Sequence, residues 1–194
     1  DKMGLRPDPE KISAILKMPP PGDVSSLRAF LGAVNFYGKF LPSVHQYRKP
    51  LDLLLKKDAD WNWNETCQSA FDGFKTALQS DLLLTHFDPS KETIVAADAS
   101  NYGIGACLLH RFANGSIKAV FHVARSLTST EQRYSQIEKE GLALIFAVKK
   151  IHRYIYGRRF TLQTDHKPLL CIFGSKKGIP VHSANRLLRW ALIL

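Results

Sequence analysis

The 194-residue sequence has little cysteine, no long apolar run, and few acids in its second half. Its three cysteines, Cys67, Cys107 and Cys171, stand 40 and 64 residues apart. An odd count without paired spacing argues against a disulfide scaffold or a zinc cluster and suits a reducing, intracellular compartment. The longest uninterrupted apolar stretch, Leu142 to Val148, falls far short of the roughly 20 residues that a membrane-spanning helix needs. No apolar stretch follows Asp1-Lys2-Met3-Gly4, so these residues do not read as the start of a signal peptide. There is no internal repeat and no low-complexity tract. With 45% hydrophobic and 23% charged residues, the composition suits a packed core and excludes wholesale disorder. At roughly 100–200 residues per domain, the length allows one full domain or two small ones.

Acidic residues are unevenly spread. Residues 1–90 hold 11 Lys+Arg and 11 Asp+Glu, whereas residues 91–194 hold 16 and 6. The whole net charge of +10 therefore lies in the second half. Such an asymmetry points to an anionic partner there, with nucleic acid the leading candidate and a merely soluble basic surface the plain alternative.

The first 88 residues read as short helices joined by proline-rich connections. Pro9 to Leu16 supports about two helical turns before Pro19-Pro20-Pro21-Gly22 ends them. Ser25 or Ser26 is expected to cap a helix that runs through Leu27, Phe30, Leu31, Val34, Phe36 and Tyr37 towards Phe40 and closes at Pro42. Pro50 is expected to start a helix over Leu51 to Leu55. Asn64 caps a longer one with Ala70, Phe71, Phe74 and Leu78 on one face.

After the turn Asp88-Pro89-Ser90 the pattern changes. Thr93 to Ala97, Ile104 to Leu109 and Ile117 to Val123 are short apolar runs separated by Asn101-Tyr102-Gly103 and Asn114-Gly115, which predicts an antiparallel meander. Thr128 to Glu131 forms a capping box. One long helix is expected beyond it, with Tyr134, Ile137, Gly141, Leu144, Val148 and Ile151 on one stripe, and Gly157 ends it. A fourth strand, Phe160 to Thr164, a short helix, Lys167 to Phe173, and a last helix capped by Ser183, Ala184 to Leu194, complete a β-β-β-α-β-α-α order.

Six acids remain in the basic half. Glu131 belongs to the capping box, and Glu92 starts a strand and is expected to be solvated. Glu138, two residues and about 200° around the helix from Glu140, is expected to face water. Asp98 and Asp165 end the first and fourth strands, while Glu140 borders the stripe. If those two strands pair in parallel through a right-handed crossover, both aspartates arrive at one edge of the sheet, where the crossover helix brings Glu140. An Asp at a strand end is more often a turn former, and a Glu beside an apolar stripe more often a solvated neighbour. Three gathered carboxylates repel one another, and divalent metal is the natural compensation. Hard oxygen ligands select Mg²⁺ or Mn²⁺ over zinc. Two such ions about 4 Å apart activate water and stabilise the leaving oxygen of a phosphodiester.

Several segments resemble the Pol polyproteins of Ty3/gypsy-type retrotransposons. Thr93 to Ser100 with Tyr102 to Ala106 is similar to the opening of their ribonuclease H domain. So are Ser126-Leu127-Thr128 with Glu131 and Tyr134-Ser135, Glu138 to Ala143, Tyr154 to Phe160, and Thr164 to Leu169. Earlier in the chain, Pro9 to Ile12, Leu27 to Gly32, Asn35 to Tyr37 and Phe40 to Pro42 resemble the reverse transcriptase thumb, and Trp63, Ala70-Phe71 and Lys75 the tether that follows it.

The resemblance implies an α/β fold: a ribonuclease H-like mixed sheet over residues 89–194, preceded by a helical thumb/tether over residues 1–88. It carries the family's catalytic and metal-binding acids onto Asp98, Glu140 and Asp165. Hydrolysis of the RNA strand of an RNA–DNA hybrid with two Mg²⁺ ions is then expected, with Mn²⁺ as a substitute. Recognition would rest on hybrid shape, phosphates and the 2′-OH. Lys149, Lys150, Arg153, Arg158 and Arg159 are candidate nucleic-acid contacts, and Arg186 and Arg189 weaker ones. The remaining polymerase domains of a parent polyprotein are expected partners, and a cytoplasmic particle or the nucleus the expected location.

The family's fourth acid, fifth strand and last helix are not found up to Leu194, so the fragment is expected to be C-terminally truncated and weakened or inactive alone. The palm with its paired aspartates is missing too. Gly141 stands where the family has Ala or another small helix former, at a cost of up to about 1 kcal/mol in helix propensity. Ala124 replaces a usual Ser. The rival reading is a non-catalytic nucleic-acid-binding module or a structural remnant of the same fold.

Overall fold

The computed structural model describes residues 4–41, 44–57, 59–80, 83–174 and 185–193. Asp8 opens helix α1 (Pro9–Leu16) by accepting from the Glu10 N–H at 3.0 Å, and Pro9 sits in the first turn, where its missing N–H costs nothing. Helix α2 (Val24–Phe36) is capped one turn earlier than the serine pair suggests. Asp23 is the N-cap and Ser26 the third helical residue of a reciprocal box, because the aspartate is the stronger acceptor for orphan N–H groups. A single 3-10 turn, Gly38–Phe40, follows. Pro42 and Ser183 lie outside the described residues.

Helix α3 (Val44–Leu54) corrects the expectation for Pro50, which lies inside the helix instead of starting it. Its neighbours supply the reason for tolerating it: Leu51 and Leu54 are buried in the helical core, and Arg48 binds Asp52 one turn on at 3.0 Å. Asn64 caps helix α4 (Glu65–Gln79) by accepting from the Cys67 N–H, and Ala70, Phe71, Phe74 and Leu78 form its buried face. The Phe30 ring lies 4.6 Å from that of Phe71 and 6.0 Å from that of Phe74. With Ile12, Leu27, Leu51 and Leu84 these rings make one apolar core.

The second core belongs to a four-stranded mixed sheet in the order β3-β2-β1-β4. Strands β1 (Glu92–Ala99), β2 (Gly103–Arg111) and β3 (Ile117–Ser126) form the antiparallel meander, and β4 (Thr161–Gln163) pairs with β1 in parallel. A β-bulge at Leu108/Leu109 shifts the register of β2 against β3.

The expected single helix after β3 is two. A short α5 (Ser129–Gln132) uses the Thr128–Glu131 capping box, and a second box, Ser135 with Glu138, starts α6 (Gln136–Ile155). Two competing N-cap signals seven residues apart, Thr128 and Ser135, break the helix between them, so Tyr134 sits in the turn. Glu138 is correspondingly held by Ser135 and Arg186 and largely covered, which corrects the expectation that it faces water. Helix α6 lies across β1 and β2, and Gly157 at φ +67° ends it. Helices α7 (Lys167–Phe173) and α8 (Asn185–Ala191) pack on α6.

The α8 contact accounts for Gly141. A Cβ there would stand 3.0 Å from Leu187 and 3.2 Å from Trp190. The helix-propensity loss is thus exchanged for a close helix–helix approach. Nothing in the structure explains Ala124.

The junction between the cores is built from the chain that links them. Leu5 and Leu84 form an antiparallel bridge, and the Thr85 N–H donates to the Ala119 carbonyl of β3 at 2.7 Å. His110 is fully buried; its Nε2 accepts from the Asp88 N–H at 3.0 Å, and its Nδ1 lies 3.2 Å from the Glu92 carbonyl. That pair of partners fixes the neutral tautomer with its proton on Nδ1. Among the described residues no helix is long and apolar enough to cross a membrane.

Candidate metal centre

The parallel register Val95↔Leu162 and Ala96↔Gln163 carries β1 and β4 forward side by side, so Asp98 and Asp165 emerge at the same end of the sheet. Helix α6 crosses there with Glu140 in its second turn. One carboxylate oxygen from each of Asp98, Glu140 and Asp165 lies within 4.8 Å of the others. Asp98 and Asp165 are exposed, whereas Glu140 is only 5% exposed.

The environment of Glu140 is the most informative feature of the group. Gln136, one turn earlier on α6, donates from Nε2 to Glu140 Oε1 at 2.6 Å and reaches the Ala99 carbonyl at 3.4 Å. Glu140 Oε2 is buried with no hydrogen-bond partner. An ionised oxygen in that state costs free energy unless a cation or proton meets it. Burial pushes the Glu140 carboxyl up to about 7 from 4.5; the charges of Asp98 and Asp165 add to the rise, and the Gln136 hydrogen bond opposes it. Three oxygen donors converging on a buried, unpartnered oxygen fit a hard divalent cation. Cys107 Sγ lies 3.9 Å from His122 Nε2, but burial pushes the thiol up to about 12, so this pair offers no rival chemistry.

The basic candidates are placed elsewhere. Lys149, Lys150, Arg153, Arg158 and Arg159 are all exposed. At about 1.5 Å per residue, Lys149 and Arg153 stand roughly 13 and 20 Å along α6 from Glu140. Arg153 donates to the Tyr154 hydroxyl at 3.1 Å, and the Arg158 guanidinium lies 5.9 Å from the Phe87 ring. Arg186 is committed to Glu138 and stacks 3.9 Å above Tyr134, an arrangement that clasps α8 to the start of α6. Arg189 is exposed on α8.

Sequence reasoning missed Gln136, although its spacing of four from Glu140 is the one that brings helix side chains together. It also missed Lys139, 6% exposed, whose ammonium donates to Asn101 Oδ1 at 3.2 Å and so ties α6 to the β1–β2 turn.

The family described as the RNase H-like domain found in reverse transcriptase matches residues 63–162, just over half of the chain. The chain belongs to this family. The match takes in α4 of the helical region and ends within β4. The chain is 35% identical over 170 residues to a retrovirus-related Pol polyprotein from transposon 412 of Drosophila melanogaster, covering 88% of this chain and 14% of that protein. It is 34% identical over 193 residues to the transposon Tf2-3 polyprotein of Schizosaccharomyces pombe, covering 98% and 14%. The chain thus spans about one-seventh of the length of these relatives.

Among solved structures, a foamy viral protease-reverse transcriptase dRH in complex with double-stranded DNA matches with a TM-score of 0.75 and 18% identity, covering 98% of this chain and 33% of that chain. A foamy viral protease-reverse transcriptase in complex with an RNA/DNA hybrid matches with a TM-score of 0.71 and 19% identity, covering 98% and 26%. At these identities the likeness establishes the fold: an RNase H-like α/β domain whose mixed sheet is joined to a helical region.

Proposed function

We propose that this chain hydrolyses the RNA strand of an RNA–DNA hybrid, with residues 1–88 as the reverse transcriptase thumb/tether and residues 89–194 as the nuclease unit. The observation that carries this reading is the meeting of Asp98, Glu140 and Asp165 within 4.8 Å, with Glu140 buried and its Oε2 without a hydrogen-bond partner.

Asp98, Glu140 and Asp165 would hold the divalent ions, Mg²⁺ or Mn²⁺, which when bound supply water activation and charge neutralisation at a phosphodiester. The chain's own residues supply the arrangement. The β1–β4 pairing fixes the two exposed aspartates facing solvent, where a polymer substrate has access. Gln136 occupies one oxygen of Glu140 and leaves the other free of hydrogen bonds. Such support of a ligand by a neighbouring hydrogen bond is what keeps a metal site in its productive geometry. Selection of the RNA strand would rest on its 2′-OH and the shape of the hybrid, not on base sequence.

The direct test follows cleavage of a hybrid labelled on its RNA strand, in Mg²⁺, by the wild-type chain and by Asp98→Asn. Wild-type cleavage that falls to background in the variant is expected. Equal cleavage by both would sink the assignment. Hybrid binding in EDTA with no wild-type cleavage in Mg²⁺ or Mn²⁺ would favour the non-catalytic binding module instead.

A further inference from the structure

We propose that Lys49 and Tyr102 are positioning residues for the carboxylate site: through their contact the helical region fixes the β1–β2 turn that follows Asp98. The Lys49 ammonium, on α3, lies 3.2 Å from the centre of the Tyr102 ring, at the tip of that turn. Lys49 is half-buried and forms no ion pair among the described residues, so the face of the ring is the partner of its charge. Tyr102 is 41% exposed and belongs to neither core, so apolar burial does not account for its place.

The turn passes a displacement of its tip back to the site because it is internally closed. The Ser100 N–H donates to the Gly103 carbonyl at 2.9 Å, and the Ser100 hydroxyl accepts from the N–H groups of Tyr102 at 3.2 Å and Gly103 at 3.0 Å. Asp98 lies two residues before Ser100. The Ala99 carbonyl between them receives Gln136, the residue that also holds Glu140 Oε1. The sheet region grips the same tip from two other sides. Lys139 of α6 donates to Asn101 Oδ1, and the Leu127 N–H after β3 donates to the Tyr102 carbonyl at 2.7 Å. Helix α6, the end of β3 and helix α3 thus meet at one turn, and of these α3 alone belongs to the helical region.

Helix α3 is fit to act as the fixed arm. Leu51 and Leu54 anchor it in the helical core, and Asp52, one turn on from Lys49, accepts from the Ser126 hydroxyl at 2.9 Å. Sliding or rotating α3 therefore breaks two contacts with the sheet region at once. A cation–π contact of this kind is worth roughly a factor of two to five in an equilibrium constant, which sets the size of the effect. The role rests on the proposed reading of Asp98 as a metal ligand, and it adds a dependence of that site on the helical region.

The test uses the full chain in two measurements, amide hydrogen exchange in EDTA and Mn²⁺ affinity by calorimetry. Lys49→Met and Tyr102→Leu should each speed exchange at the Ser100 and Leu127 amides about threefold and weaken Mn²⁺ binding by about the same factor. Lys49→Arg, which keeps a cation, and Tyr102→Phe, which keeps the ring, should stay closer to wild type than their truncated counterparts. The double variant Lys49→Met, Tyr102→Leu should lose no more than either single variant, because both remove one contact. Three results would overturn the role. One is wild-type Mn²⁺ affinity in both folded truncations. Another is a double variant whose loss is the product of the two single losses. The third is exchange quickened equally across β1 to β3, which marks general destabilisation. Wild-type Mn²⁺ binding that Asp98→Asn abolishes and the Lys49 and Tyr102 variants leave intact would remove the positioning role and keep the metal reading. A wild type that binds no Mn²⁺ would remove both.

Discussion

The helical region up to Leu84 and the sheet region from Glu92 onward are of similar size but bury different things. The helical core is a cluster of aliphatic and aromatic side chains, with the Phe30 ring in contact with those of Phe71 and Phe74. Every buried polar or charged side chain among the described residues, Thr93, His110, Lys139 and Glu140, lies in the sheet region. Three of the four have partners: His110 bridges Asp88 to Glu92, Lys139 reaches Asn101, and Thr93 donates to the Lys91 carbonyl. Glu140 keeps one oxygen without any. The contrast separates a region in which burial stabilises from one in which a single buried oxygen is left at a cost to stability.

The sharpest way to break the contrast is to truncate a side chain in the helical core. Phe74→Ala, at a position with no solvent exposure, should cost about 3–5 kcal/mol in denaturant unfolding of the full chain. A loss under 1 kcal/mol would show that the helical core does not carry its own stability.

Removing buried charge from the sheet region should have the opposite sign. Glu140 titrates near 7 in the folded protein and near 4.5 when released from burial. Between these pH values the folded state binds more protons than the unfolded one, so without metal its contribution to stability falls as pH rises, and the penalty is complete above about 7. Glu140→Gln should therefore unfold about 2–3 kcal/mol later than wild type in EDTA at pH 8. The two should converge towards pH 4.5. A variant less stable than wild type at pH 8 would remove the idea of an energetically exposed carboxylate.

A smaller effect is expected at the residue that supports this carboxylate. Gln136→Leu should weaken Mn²⁺ binding, read by calorimetry, about tenfold while leaving the unfolding midpoint in EDTA nearly unchanged. Gln136→Glu should not rescue it, because a carboxylate cannot donate to Glu140. Unaltered Mn²⁺ affinity in the leucine variant would reduce Gln136 to a surface residue. The least change belongs to Gly141→Ala. The gain in helix propensity opposes the 3.0 Å approach of Leu187, so a net loss near 1 kcal/mol or less is expected. A clear gain in stability would mean that α8 is not held tightly against α6.

Much of this architecture could be read from local signals. Asn64 and the apolar face of α4, the turn at Asp88, the meander and the limits of α7 follow from capping chemistry and periodicity, which act over a few residues. The errors arose where two local signals compete. Asp23 outranks Ser25 and Ser26 as a cap, Pro50 is tolerated within a helix whose neighbours are buried, and Ser135 with Glu138 starts α6 only seven residues after Thr128 with Glu131 has started α5. Periodicity cannot rank such competitors, because the decision depends on which face has something to pack against.

The candidate site divides in the same way. The sequence by itself determined which acids are rare enough to matter in the basic half, and an inferred parallel pairing of two strands sufficed to bring Asp98 and Asp165 to one edge. Only the tertiary structure decided that Glu140 Oε2 is left without a partner and that Gln136 holds the other oxygen. It also decided that Lys49, from the helical region, meets the Tyr102 ring at the turn after Asp98. Burial, hydrogen-bond satisfaction and contacts across a joint depend on distances between segments remote in sequence, and those distances exist only once the chain has packed.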